Sequence, residues 1–208
     1  MDAIEAILTR RSIRKYTRKT VPEAVVRELL EAAMSAPSAG NQQPWQFIVI
    51  NDRKTLDEIP KVHPFSQPLR EASVAIVVCG DLQRENLKGF WVQDCSAATE
   101  NILVAARARG LGTVWLGVYP VDDRVKGVRK LLGLPEMLVP LSIIPVGYPA
   151  EEKTRANRYD TSRVHYNRWS RPCERRTHLD DEVFAEIRKG DHPFFDGDDG
   201  LCGPYLHC

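Results

Sequence analysis

Arg10-Arg11-Ser12-Ile13-Arg14-Lys15-Tyr16 is the first stretch of this chain whose residue types could do chemistry. Six of the ten residues from Arg10 to Lys19 are basic and none is acidic. In an extended backbone alternate side chains share a face, so Arg10, Ser12 and Arg14 are expected to converge while Arg11 and Ile13 point away. Two guanidinium forks and a hydroxyl on one face suit a phosphate monoester, whose oxygens accept charge-assisted, bidentate hydrogen bonds. A solvated basic turn has the same composition, and this segment alone does not separate the two readings.

The second candidate is Pro37-Ser38-Ala39-Gly40-Asn41-Gln42-Gln43-Pro44-Trp45. Two prolines and a glycine fix a non-repeating backbone whose N–H groups can aim at a ligand, and Ser38, Asn41 and Gln43 add side-chain donors and acceptors. Taken alone it is a polar loop between a helix and a strand, with Trp45 expected in the core. The third is Gly110-Leu111-Gly112-Thr113-Val114-Trp115-Leu116-Gly117-Val118. It fails the Gly-x-Gly-x-x-Gly pattern, because the third glycine comes two places late and a helix precedes it where a dinucleotide-binding unit needs a strand. Gly117 could let the backbone approach a flat ring closely, although a glycine at a strand end also serves as a plain turn.

Apolar spacing predicts the elements that must hold these segments. Met1–Thr9 reads as a helix with Ile4, Ile7 and Leu8 on one face, and Pro22–Ser35 as a second with Val26, Leu29, Leu30 and Ala33 inward. Trp45–Ile50 reads as a strand, and Val74–Gly80, rich in β-branched residues, as a second strand covered on both faces. Gly89–Arg109 is a long helix with a stripe of Ala98, Ile102, Ala105 and Ala106, stopped by Gly110. Thr113–Val118 is a third strand, Val121–Leu132 a helix stopped by Gly133, and Leu141–Val146 a fourth strand. The expected fold class is α+β, with helices packed on a central sheet.

The three segments, in this order and spacing, resemble the nitroreductase family of FMN-dependent oxidoreductases. The resemblance covers residues 1–169 and is completed by Gly147-Tyr148-Pro149 and by the run from Arg158-Tyr159-Asp160 to Trp169. It implies a mainly antiparallel sheet flanked by helices in an interlocked homodimer, with two FMN sites at the subunit interface. It further implies that Arg10, Arg11, Ser12 and Arg14 hold the phosphate and the pyrimidine side of the ring. Pro37, Ser38, Ala39 and Asn41 would reach FMN from the partner subunit, and Trp115, Leu116, Gly117 and Val118 would lie against the isoalloxazine ring. Arg155 or Arg158 would complete the phosphate grip. The implied activity is hydride transfer from NADH or NADPH through FMN to a small acceptor, a nitroaromatic, quinone or similar compound, in ping-pong order. A different class of function is a flavin-binding or delivery protein without general turnover. Two departures stand out: the ring-facing stretch carries no acidic residue, and members of this size end near Trp169.

Charge supports a small anionic ligand over a nucleic acid. Residues 1–169 carry 24 Lys+Arg against 19 Asp+Glu, too small an excess for a duplex-binding face, whereas residues 170–208 are acidic, with 5 against 9. The longest apolar run, Val74–Cys79, is far short of the roughly 20 residues of a membrane-spanning helix, and the N-terminus lacks the shape of a secretory signal, so the expected location is the cytoplasm. Five cysteines without a Cys-x-x-Cys pair fit a reducing compartment. No metal site is expected, since the spacing of Cys173, His178, His192, Cys202, His207 and Cys208 matches no established ligand pattern. The sequence thus divides into a flavin-binding domain, 1–169, and an acidic extension, 170–208, in which only Asp180–Lys189 reads as helical. Truncation after Trp169 is expected to leave a folded, flavin-bound dimer; loss of dimer or flavin in sedimentation and absorbance measurements would place the extension in the core.

Overall fold

In the computed structural model, residues 1–169 are described; the extension 170–208, with its expected helix at 180–189, lies outside the described residues. The chain divides into two compact units, Met1–Ala156 and a second beginning at Asn157. The first contains helices α1 (Ala3–Thr9), α2 (Glu23–Met34), α3 (Arg53–Val62), α4 (Trp91–Ala108) and α5 (Asp122–Leu132). Its strands are β1 (Trp45–Ile50), β2 (Val74–Asp81), β3 (Gly112–Thr113), β4 (Leu116–Gly117) and β5 (Leu138–Gly147). In the second unit, a single helical turn at Thr161–Arg163 is capped by Asp160, which accepts from the Ser162 amide at 3.0 Å.

All named strand pairs are antiparallel, in the order β1-β2-β5-β3, with β4 also against β5. Alternate side chains of β2 divide the core in two. Val74, Ile76 and Val78 join Val26, Leu29 and Ala33 of α2 and Ala98, Ile102 and Ala106 of α4 on one face. Ala75, Val77 and Cys79 join Leu56 and Ile59 of α3 and Val128 of α5 on the other. The stripe of small residues lets α2 and α4 approach closely, and the Asn101 side-chain amide donates to the Ala32 carbonyl at 2.9 Å between them. Burial pushes the thiols of Cys79 and Cys95 upward, Cys79 to about 12, so both remain protonated at neutral pH.

Two differences from the expected elements have the same cause. The fourth strand begins at Leu138, three residues early, and runs through Pro140; a bulge between Val78 and Cys79 absorbs the irregularity opposite that proline. The third strand keeps one register along β5 but is broken at Val114 and Trp115 into β3 and β4. Extending that register sets Val114 opposite Pro145, which has no N–H to give, so the ladder lapses there. Helix α3 is absent from the sequence-based expectation because Pro60 lies inside it. Asp52 caps its start, accepting from the Thr55 amide at 2.8 Å, and Pro60 falls in the last turn.

Helix α1 forms as expected, but only Ala6 is buried. Ile4, Ile7 and Leu8 are exposed.

Gly80 is a packing glycine: a Cβ there would sit 2.2 Å from the Trp91 ring. Gly80→Ala is expected to destabilise the fold by about 1 to 3 kcal/mol, as overpacking does, measured by urea denaturation; an unchanged midpoint would show that Trp91 yields freely.

Candidate functional site

The chain end leaving β5 returns beside the segment that follows α1. The Ile13 amide donates to the Thr113 carbonyl at 2.9 Å, Thr17 to Tyr148 at 2.8 Å and Ala150 to Lys15 at 2.9 Å. Ser12 bridges Thr113 in parallel, and Tyr16 bridges Pro149. Lys153 Nζ donates to the Ser12 carbonyl at 2.7 Å, and an Arg11 guanidinium N–H donates to the Thr154 carbonyl. A cleft of about 540 Å³ opens here, lined on its polar side by Arg10, Arg11, Arg107 and Lys153 together with Glu151 and Glu152.

Four cations therefore face two carboxylates. Arg10 lies 3.3 Å from Glu100, and Lys153 lies 3.2 Å from Glu151. The Arg14 backbone amide, donating at 2.5 Å, and then Lys153 hold the Glu151 carboxyl below its usual range, so it stays ionised. The cleft has a charge excess that an anion would satisfy.

The expected alternation along residues 10–14 is only partly met. Arg10 and Arg11 both line the cleft, and Ile13 is buried beneath it. Ser12 offers its carbonyl to Lys153, and Arg14 is exposed and joins Glu151 through its backbone. Arg10 still closes α1, its amide donating to the Ala6 carbonyl at 2.9 Å, so the extended run does not begin with it. Arg155 is exposed in the first unit, and Arg158 belongs to the second. Lys153 and Arg107 are additions. Lys153 carries a sequence signal, a lysine two places before Arg155, whereas Arg107 carries none, being one cation at the end of a long helix.

In the loop from Pro37 to Gln43 four of the six amides are taken, three within the loop and one by Asp94, where free N–H groups were expected. Ala39 donates to Asp94, Asn41 to the Ser38 carbonyl, Gln42 to the Ala39 carbonyl and Gln43 to Ser38 Oγ. Asn41 Oδ1 accepts from the Gln43 side chain at 3.0 Å. Pro37 and Asn41 are exposed. The buried Asp94 that ties this loop down was missed by sequence reasoning, since it lies more than 50 residues away along the chain.

Along β4 the side chains of Leu116 and Val118 are buried in the α3/α5 core, so these two residues can present only backbone. Trp115 packs against the opposite core cluster and is partly exposed. Nothing lies within 4 Å of where a Cβ on Gly117 would stand. Val118 donates to Leu141 at 2.9 Å, so Gly117, one residue back, turns its peptide groups away from β5. Its carbonyl accepts from His63 Nε2 at 2.9 Å and from Arg124 Nη1 at 3.0 Å. The Arg124 guanidinium also lies over the exposed Phe65 ring, 5.2 Å from its centroid. Gly117 stands four residues beyond Thr113 of the basic cleft, roughly 13 Å of extended chain.

His63 is buried, and its tautomer follows from geometry. A carbonyl only accepts, so Nε2 carries the proton, and Nδ1 is a buried acceptor without a partner among the described residues. Burial, with Arg124 adding to it against the pull of the Gly117 bond, holds the imidazole below its ordinary range.

The sequence profile of the Nitroreductase family matches residues 7–64 and 64–148. A protein of Methanothermobacter thermautotrophicus, provisionally named NADH dehydrogenase/NAD(P)H nitroreductase, is 52% identical over 169 residues, covering 81% of this chain and 88% of that one. An FMN-dependent nitroreductase structure from Clostridium difficile superposes with a TM-score of 0.75 at 31% identity, covering 80% of this chain and 99% of that one. A structure from Desulfovibrio desulfuricans, provisionally named a nitroreductase and solved in complex with FMN, gives 0.68 at 34% identity, covering 76% and 92%. The chain belongs to the nitroreductase family, and its antiparallel sheet flanked by helices is the nitroreductase fold. No helix of the described residues is long and apolar enough to cross a membrane.

A base whose folded-state pKa is depressed contributes stability above its unfolded value, and that stability is lost as pH falls. The melting temperature is therefore expected to drop more steeply below about pH 6.5 in the wild type than in His63→Gln; parallel curves would show that the imidazole takes up its proton alike in the folded and unfolded chain.

Proposed function

We propose that the protein is an FMN-dependent oxidoreductase that moves a hydride from NADH or NADPH to a small acceptor such as a nitroaromatic or a quinone. The observation that carries this reading is the pairing, on one edge of β5, of a basic cleft with an open place at Gly117. The first suits an anion and the second a flat ring.

The residues present fit FMN. Its phosphate, with a charge of about −1.5 to −2, calls for several cations, and Arg10, Arg11, Lys153 and Arg155 are the groups that would hold it, with Ser12 and Arg14 beside them. Arg107 closes the cleft from the end of α4. The backbone of Leu116, Gly117 and Val118 and the side chain of Trp115 would back the ring. When bound, FMN supplies the hydride-accepting and hydride-donating chemistry, which it exchanges in turn with the nicotinamide and with the acceptor in ping-pong order. The protein's task is to bind, to orient and to keep water from the reacting face, so no nucleophile is needed.

The reading includes a homodimer with FMN at the subunit interface. Ile4, Ile7 and Leu8 of α1 and Met34 at the end of α2 are exposed apolar side chains, 43% to 65% accessible in the isolated chain. A second copy would cover them. Pro37, Ser38, Ala39 and Asn41 would then meet FMN from that copy. One relative named FMN-dependent and one solved in complex with FMN support the choice of cofactor.

The purified protein is expected to be yellow, with one FMN per chain, and to be bleached anaerobically by NADH or NADPH and recoloured by an acceptor. Lys153→Ala should weaken FMN binding by about 1.5 to 3 kcal/mol, the worth of a hydrogen bond to a charged group. Gly117→Ala has no steric conflict within the chain, so it should lower FMN affinity without lowering the melting temperature of the apoprotein. A colourless protein that ignores added FMN, or variants that bind as the wild type does, would contradict the assignment.

A further inference from the structure

We propose that Asp94 of α4 is a positioning residue that holds the Ser38–Gln43 loop in the shape in which it meets FMN on the partner subunit. This rests on the function proposed above. The loop is conformationally expensive: Gly40, Asn41 and Gln43 have φ of 54°, 53° and 46°. Left-handed backbone costs a residue with a side chain roughly 1 to 2 kcal/mol, so something outside the loop must hold it there.

Asp94 is that anchor. Its carboxylate is buried, and both oxygens are engaged: Oδ1 accepts the Ala39 amide at 3.0 Å and Oδ2 accepts Gln42 Nε2 at 2.8 Å. Gln42 passes the connection on, its Oε1 accepting the Leu87 amide at 3.0 Å. No Lys, Arg or His among the described residues lies within ion-pair distance of Asp94. A buried charge without a cation is a costly way to tie down a loop unless both of its acceptor oxygens are needed. An amide at this position could accept from only one of the two donors, and would set its own NH₂ against the NH₂ of Gln42. Asp94 touches neither Ser38 nor Asn41 in this network; it acts through Ala39 and Gln42.

The polarity of the pair can be exchanged. In Asp94→Asn combined with Gln42→Glu, the side-chain amide introduced at position 94 still accepts the Ala39 amide through its oxygen. Its NH₂ donates to the carboxylate introduced at position 42, whose other oxygen accepts the Leu87 amide. FMN dissociation constants of the full-length protein, with melting temperatures alongside, are the measurement. Asp94→Asn is expected to weaken FMN binding about tenfold or more, equivalent to about 1.4 kcal/mol, and the exchanged double variant to recover most of that loss. Gln42→Ala, which removes the Oδ2 donor from a half-buried position, should also weaken FMN in a protein that still folds, with some loss of melting temperature. A merely structural role would lower and restore the melting temperature while leaving the FMN affinity of the folded protein unchanged. Wild-type affinity in Asp94→Asn, or a double variant no tighter than the single one, would overturn the proposal. If Asp94→Asn does not fold, Gln42→Ala decides: unchanged affinity overturns it. A wild-type protein that binds no FMN would instead remove the function on which the proposal rests.

Discussion

The hydrogen bond from Lys153 to the Ser12 carbonyl joins positions 141 residues apart, and the rest of the site depends on the chain reversal that makes it possible. Bringing Arg10, Arg11, Arg107 and Lys153 to one cleft is electrostatically unfavourable without an anion. The buried sheet imposes it. β5 runs through the middle of the core, so residues 149–155 leave it at a fixed place, against the extended segment 12–17. Glu100 and Glu151 lie against Arg10 and Lys153 and offset part of the repulsion. A phosphate has more charge and more acceptor oxygens than either carboxylate, so it can displace these contacts without leaving the cations unpaired.

The same strand determines the opposite end of the site. Pro145 interrupts the ladder and frees a short piece of chain, Leu116–Gly117, to pair again farther along. The buried side chains of Leu116 and Val118 hold that piece to the core, while His63 and Arg124 grip the one carbonyl that faces away from β5. A backbone held in this way presents a fixed flat edge, with open space where Gly117 has no side chain. The basic cleft and the open backbone at Gly117 are thus two consequences of a single strand's path.

The legible part of the sequence was the part written in local pattern. Val74–Gly80 announces a strand buried on both faces because both of its alternating sets are apolar, and Pro22–Ser35 announces a helix because Val26, Leu29, Leu30 and Ala33 recur at helical spacing. Patterns broken by proline were harder: Pro60 concealed α3 and Pro140 shortened β5, although a last helical turn and a bulge tolerate them. Arg10, Ser12, Ser38, Asn41 and Gly117 stood out because they cluster along the chain. Lys153, Arg107, His63 and Asp94 did not, since each is one polar residue whose meaning comes from a partner many residues distant. The alternation assumed for Arg10, Ser12 and Arg14 fails at Arg10, which still closes α1 with its amide on the Ala6 carbonyl.

On the proposed reading, the cleft between the first arginines and Lys153 holds the anionic end of the flavin. Calorimetric titration of the apoprotein with FMN and, separately, with riboflavin tests it most directly, because the two ligands share the ring and differ in the phosphate. FMN is expected to bind at least about 100-fold more tightly, the equivalent of about 2.7 kcal/mol, with an advantage that shrinks as salt is raised. Equal affinities for the two ligands would contradict it.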